Sequence, residues 1–157
     1  MAVLVHAGAM KTHARRSVRL VASAVLASSI VLAASGCAFV QRHTGDAWAV
    51  TYEVHVDQPT GSTLSGIRVE GAERRGDSPR LHKIGTEVTT AKDGVGSRWE
   101  REVVVLAEQH ASVSATPEPG ATARCRILLD GTREIAKQTS VAPGEPVTCS
   151  VHTPSFK

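Results

Sequence analysis

Apolar and polar residues alternate through much of this chain, and the clearest case lies towards its C-terminus. Ala123, Cys125, Ile127 and Leu129 fall on one face of an extended segment, with Arg124 and Arg126 on the other. A period of two residues marks a half-buried strand. Asp130-Gly131 closes it with a tight turn, since glycine takes positive φ without steric cost. Further on, Val147, Cys149 and Val151 alternate with Thr148, Ser150 and His152. Both cysteines therefore point inward with the apolar set. The pattern predicts a Cys125–Cys149 disulfide across the core of a small β-sandwich.

The same alternation organises the rest of the chain from residue 47 onward. Trp48, Val50, Tyr52, Val54 and Val56 alternate with Ala49, Thr51, Glu53 and His55, a strand that ends in the turn cluster Asp57 to Ser62. Leu64, Ile67 and Val69 make a weaker strand, interrupted by Gly66, which predicts a bulge. Glu70 to Asp93 is highly charged and broken at Gly76-Asp77-Ser78-Pro79. Leu81, Ile84 and Val88 within it allow one or two short strands, or only a long ordered hairpin. Lys92 to Ser97 reads as a turn. Trp99, Arg101, Val103 and Val105 then alternate with Glu100, Glu102, Val104 and Leu106. The later part is apolar on both faces, which predicts a central strand. Ala111, Val113 and Ala115 come next, then a turn at Pro117 to Gly120, the Cys125 strand and its hairpin. An edge strand around Glu134–Gln138, a turn at Ala142 to Pro146 and the Cys149 strand complete the pattern. Seven or eight short strands, with no helical periodicity after Phe39, predict an all-β, immunoglobulin-like sandwich over residues 47–157.

The first 36 residues obey another rule. Lys11 to Arg19 is basic, Leu20 to Ala34 is apolar or small, and Ser35-Gly36-Cys37 comes after. Basic region, apolar core and small residues make an export signal. The positive charge keeps that end in the cytoplasm and delivers the remainder of the chain to the outside. Residues 1–9 add nothing to the signal, so Met10 is a second candidate start. Ala14 to Val18 is an imperfect match to a twin-arginine signal.

Ala34-Ser35-Gly36-Cys37 resembles the bacterial lipobox, although Ala34 stands where leucine is usual. In that motif the cysteine is acylated through sulfur and the peptide bond before it is cut. Cys37 is thus the expected lipidation site, and residues 37–46 the tether. The alternative is an uncleaved anchor, since Val18 to Val40 is 23 residues without an acid, about the length that spans a bilayer. Either way, a lipid anchor or an N-terminal helix holds the domain at the outer, extracytoplasmic face of the cell membrane. A free secreted protein would need cleavage at a different site.

Composition changes the picture in two places. Aromatic residues make up only 3% of the chain, so the core must be aliphatic and gains from a cross-link. Export to an oxidising compartment lets such a bond persist. The formal charge of +3 belongs to the leader: Lys11, Arg15, Arg16 and Arg19 stand in residues 1–36 without any acid. Removing these four from 18 basic residues leaves 14 against 15 acidic ones. A near-neutral remainder offers no basic surface for phosphate backbones, which excludes a nucleic-acid partner.

Motifs that carry chemistry are scarce. The exported part holds five histidines, His43, His55, His82, His110 and His152, none paired at metal spacing. Cys149 and His152 have a C-x-x-H look, but in a strand they face opposite sides, so no metal is expected there. His55, on the Glu53 face of its strand, is expected to be solvated. No C-x-x-C, no G-x-S-x-G elbow and no phosphate-cradling glycine loop occurs. Glu100 and Glu102, beside Arg98 and Arg101, read as an ion-paired surface. Arg75-Gly76-Asp77-Ser78-Pro79 matches a short integrin-recognition peptide but is better read as plain turn chemistry. No nucleophile, base and orienting group can be assembled from the sequence, so neither an enzyme nor a cofactor is expected.

Several of these segments, taken in order, resemble a known family. Trp48-Ala-Val-Thr-Tyr-Glu-Val, Arg98-Trp-Glu-Arg-Glu-Val-Val-Val, Ala111-Ser-Val-Ser-Ala, Cys125-Arg-Ile-Leu-Leu-Asp-Gly and Val147-Thr-Cys resemble the MmpS family of actinobacteria over residues 47–151. The resemblance implies a small β-sandwich with a conserved cystine, held at the outer face of the cytoplasmic membrane. It also implies an accessory role beside MmpL transporters, proton-driven exporters of lipids and siderophores. This chain departs from that pattern in its lipobox-like cysteine, where relatives keep an uncleaved membrane helix. Its segment 70–98 is also longer and more charged. The expected function is a membrane-tethered, non-catalytic accessory of an MmpL-type exporter. The alternative is a cell-surface binding lipoprotein, with an apolar pocket between its sheets and no transporter partner.

Overall fold

The computed structural model describes residues 45–156. The expected export signal and Cys37 lie outside them. Among the described residues no helix is long and apolar enough to cross a membrane. The chain forms nine strands: β1 (Ala47–Val56), β2 (Thr63–Gly71), β3 (Arg80–Val88), β4 (Ala91–Asp93), β5 (Gly96–Leu106), β6 (His110–Pro117), β7 (Ala123–Leu129), β8 (Arg133–Thr139) and β9 (Val147–His152). They make two antiparallel sheets, one in the order β4-β5-β1-β7-β8 and the other β3-β2-β6-β9. The molecule is the small immunoglobulin-like sandwich that the alternation predicts.

The inward positions of each strand are the apolar ones. Val50, Tyr52, Val54 and Val56 from β1 meet Leu64, Ile67 and Val69 from β2 and Ala111, Val113 and Ala115 from β6, all buried. Trp99, Val54 and Cys125 are register neighbours across β5, β1 and β7. Cys125 reaches from that row to Cys149 in β9 of the opposite sheet, with the two Cα atoms 5.9 Å apart. The bond therefore joins sheet to sheet, as the inward placement of both cysteines requires.

Tyr52, the only tyrosine in the chain, adds a second link between the sheets. Its hydroxyl donates to the Glu70 carbonyl at 2.5 Å and accepts from the Ser112 amide at 3.1 Å. Glu70 and Ser112 are partners across β2 and β6, so the phenol takes a place in their ladder. Burial, more than any neighbour, pushes its ionisation well above the usual tyrosine range.

Gly66 sits at the predicted bulge, with φ of 61° and a register shift on both flanking strands. Gly71 ends β2 at a corner. A Cβ there would lie 2.7 Å from a Val103 methyl, so only glycine lets the chain pass. The next residue, Ala72, exchanges two 2.8 Å backbone bonds with Val104 and so stitches the end of β2 onto β5.

Two details differ from the pattern reading. The strand count is nine because Lys92 to Ser97 is a hairpin with only Gly94-Val95 as its loop, and its first arm is the three-residue β4. The central strand of the larger sheet is β1, not β5. The outward Val104 and Leu106 are apolar because the loop from Ala72 to Pro79 covers them, not because another strand does. Segment 70–98 itself holds two strands, β3 and β4.

Trp48 pins the last described residues. Its indole donates to the Pro154 carbonyl at 2.9 Å, Phe156 stacks on the ring at 4.0 Å between centroids, and the Arg133 guanidinium lies 4.7 Å from the ring centroid.

Two substitutions test these links. Cys125→Ala opens a bond spanning 24 residues and is expected to cost about 3 kcal/mol, read as a lower melting temperature. An unchanged melt, or a wild type indifferent to reductant, would refute a structural cystine. Tyr52→Phe strips one hydroxyl from two half-buried backbone groups and is expected to cost about 1–3 kcal/mol in denaturant unfolding; no loss would show that the ladder closes without it.

Candidate functional site

The outward faces of the two sheets carry the polar chemistry. On the larger sheet, register places Glu100, Glu53, Arg126 and Lys137 in one row, and Arg98, His55 and Arg124 in the next. Glu53, on the central strand, organises both. One carboxylate oxygen accepts from Arg126 Nε at 2.9 Å and from its terminal nitrogen at 2.7 Å. The same oxygen lies 2.9 Å from His55 Nε2, and the other is 3.4 Å from Arg98. His55 Nδ1 in turn lies 2.6 Å from Asp93 on β4.

Only the doubly protonated ring can donate to both carboxylates. Arg98 also pairs with Glu100 at 3.0 Å, an ion-paired surface as the sequence predicts. His55 is not solvated as expected, however. Its side chain is 16% exposed, held between Glu53 and Asp93. The sequence could not show this, because Asp93 reaches it only through the β4 hairpin.

Burial alone would raise the Glu53 carboxyl, but the hydrogen bonds from His55 and Arg126 and the Arg126 charge outweigh it, and the net shift is downward. Asp93 is lowered too, first by its hydrogen bond to His55.

On the smaller sheet, three neighbouring strands bring together groups that lie far apart in sequence. Glu70 on β2 lies 2.6 Å from His110 Nδ1 on β6, and His110 Nε2 lies 2.6 Å from the Ser150 hydroxyl on β9. This overturns the expectation that no nucleophile, base and orienting group can be assembled: the connectivity of an acid–His–Ser relay is present. It was invisible in sequence because residues 70, 110 and 150 meet only through sheet pairing. Its surroundings differ from those of a hydrolase site. The three lie on an open sheet face, with His110 40% exposed and its ring edge against His152. Water competes for each bond there, so a developing oxyanion gains little from the protein.

The other sequence candidates stay apart or serve the backbone. Cys149 is buried in the cystine while His152 faces outward, so the two do not converge. Among the described residues no cluster of His, Cys, Asp and Glu is arranged to hold a metal ion. Arg75-Gly76-Asp77 lies in a turn, with the Asp77 amide bonded to the Arg74 carbonyl at 3.1 Å and Gly76 at φ of 93°. His82 bonds the Gly71 carbonyl at 3.0 Å. Trp99 donates its indole N–H to Glu87 of β3. The space between the sheets is filled by the aliphatic core, and the larger hollows lie on the outer face and near the strand ends. No protein-family model matches the chain, and no curated protein matches it.

Glu53 gives the site a pH signature. A carboxyl with a lowered folded value stabilises the fold fully above its unfolded pKa of about 4.3, and the contribution fades as pH falls through the folded value. Glu53→Gln is expected to cost about 1–2 kcal/mol at neutral pH, the two arginines being partly screened by solvent. The difference from wild type should shrink as acidification below the unfolded value protonates the Glu53 carboxyl. A difference independent of pH, measured by denaturant unfolding, would show that Glu53 does not act as a charge.

Proposed function

We propose that the protein is a membrane-tethered, extracytoplasmic and non-catalytic partner of a membrane exporter of the MmpL type. The observation that carries this reading is the edge strand β3. It is nine residues long, lies at the border of its sheet and is exposed along most of its length, with Leu81 and Val88 about half exposed. An open edge offers unpaired backbone groups to a second chain, which gives strand addition its affinity, while exposed side chains give it selectivity. The charged surroundings of β3, from Glu73 to Glu87, add electrostatic complementarity. The leader with Cys37 and the resemblance to MmpS proteins supply the membrane and the exporter.

The alternative, a binding lipoprotein with an apolar pocket between its sheets, is less favoured because that space is filled by Tyr52, Ile67, Ile127, Leu129 and their neighbours. An enzyme is less favoured because the Glu70–His110–Ser150 relay lies on an open face.

A photo-crosslinking residue in place of Val88, in the full-length protein in its own membranes, tests the reading. A large transporter should be captured, and Leu81→Lys with Val88→Lys should reduce its co-purification by about tenfold or more. Repeated capture of other envelope proteins and never a transporter would refute it. So would transporter co-purification indifferent to both lysines.

A further inference from the structure

The outer face of the larger sheet holds a hollow of about 190 Å³, lined by His55, Asp93, Arg98, Arg124, Arg126 and Lys137. Its lining carries four cations, Arg98, Arg124, Arg126 and Lys137, and one carboxylate, Asp93. Arg126 and Arg98 engage Glu53 together with His55, Arg98 also pairs with Glu100 at 3.0 Å and Arg126 with Glu134 at 3.6 Å, and Asp93 is held by His55. Arg124 and Lys137 have no ion-pair partner among the described residues. Arg126 and Lys137 are direct cross-strand partners, an arrangement of like charges that is unfavourable unless something offsets it. Arg98 Nε is buried without an acceptor, an orphaned donor of the kind a native structure seldom leaves unused. Two guanidinium groups fixed in place by Glu53, Glu100 and Glu134, beside two cations with no ion-pair partner, form a preset array of donors.

We propose that this hollow binds a phosphoryl group. Guanidinium forks match phosphate oxygens in pairs, and the charge of a phosphate monoester suits the two uncompensated cations. A single carboxylate ligand would leave most of these donors unused. Next to the hollow lies a second one of about 370 Å³, which shares His55, Asp93 and Arg124 and adds the apolar Val56, Ala123 and Val95 and the polar Asp57, Thr122 and Thr139. Val95, at the tip of the β4–β5 hairpin, is 98% exposed. A cationic hollow with the exposed Val95 side chain beside it fits the phosphoryl headgroup of an amphiphile, and the cationic part also fits a soluble phosphate ester. The site does not depend on the exporter reading, because it lies on the opposite sheet from the β3 edge.

The test is calorimetric titration of the full-length protein in neutral detergent. The probes are pyrophosphate, glycerol phosphate and phosphatidic acid in the same micelles, with phosphatidylcholine as control. Phosphoryl probes should bind, and Arg124→Gln and Lys137→Gln should each weaken them by about tenfold, the loss of one charge-assisted bond. Lys83→Gln, on the opposite sheet, should change nothing. If phosphatidic acid binds more tightly than glycerol phosphate and Val95→Ser removes the advantage, the ligand is a lipid headgroup. If the two bind alike, it is a soluble phosphate; both results support the site. No binding of any phosphoryl probe would overturn the proposal. Equal weakening by Lys83→Gln would also overturn it, showing general charge attraction only. Exporter capture unchanged by Arg124→Gln would separate the two surfaces.

Discussion

Two sheets with so little aromatic mass between them need a fixed separation, and Tyr52 sets it together with the cystine. The phenol crosses from β1 and ends in the β2–β6 ladder, between the Glu70 carbonyl and the Ser112 amide. Cys125 and Cys149 do the same between β7 and β9. One link is a hydrogen-bonded side chain and the other is covalent, and the aliphatic residues pack in the gap these two define. Shift either and the facing valines lose contact on both sides, since close packing tolerates little play.

The strict alternation of β1 then couples interior to surface. Val50, Tyr52, Val54 and Val56 fill the core, so Glu53 and His55 are forced outward onto the central strand of the larger sheet. A carboxylate there has strands on both sides, and each contributes an arginine. The cation array is therefore a by-product of where the core lies, made rigid by its position in mid-sheet. The smaller sheet repeats the logic, with Glu70, His110 and Ser150 brought together by pairing on its outer face. The open edge at β3 is a third kind of surface, whose backbone groups remain to be met.

What was legible in the sequence was whatever depends on period two. The strand faces, the Gly66 bulge, the inward cysteines and the turn at Gly76-Asp77 all come from local pattern and glycine stereochemistry. What was not legible depends on which strands become neighbours. Val104 and Leu106 look like a buried central strand, but a loop covers them. His55 looks solvated until the β4 hairpin delivers Asp93. Ser150 and His110 look unrelated until β9 pairs with β6. Partner choice in a sheet is a long-range property, and no window of a few residues contains it.

Trp48 stands at the start of β1, and Phe156 stacks on it from the other end of the described chain. Entry and exit of the domain thus share one pole. A polypeptide spliced in at either point would emerge on the same side, and joining the two would need only a short linker. The sandwich is in this sense a plug-in module, which a longer chain can accept as an insertion or rearrange by circular permutation without cutting through its core.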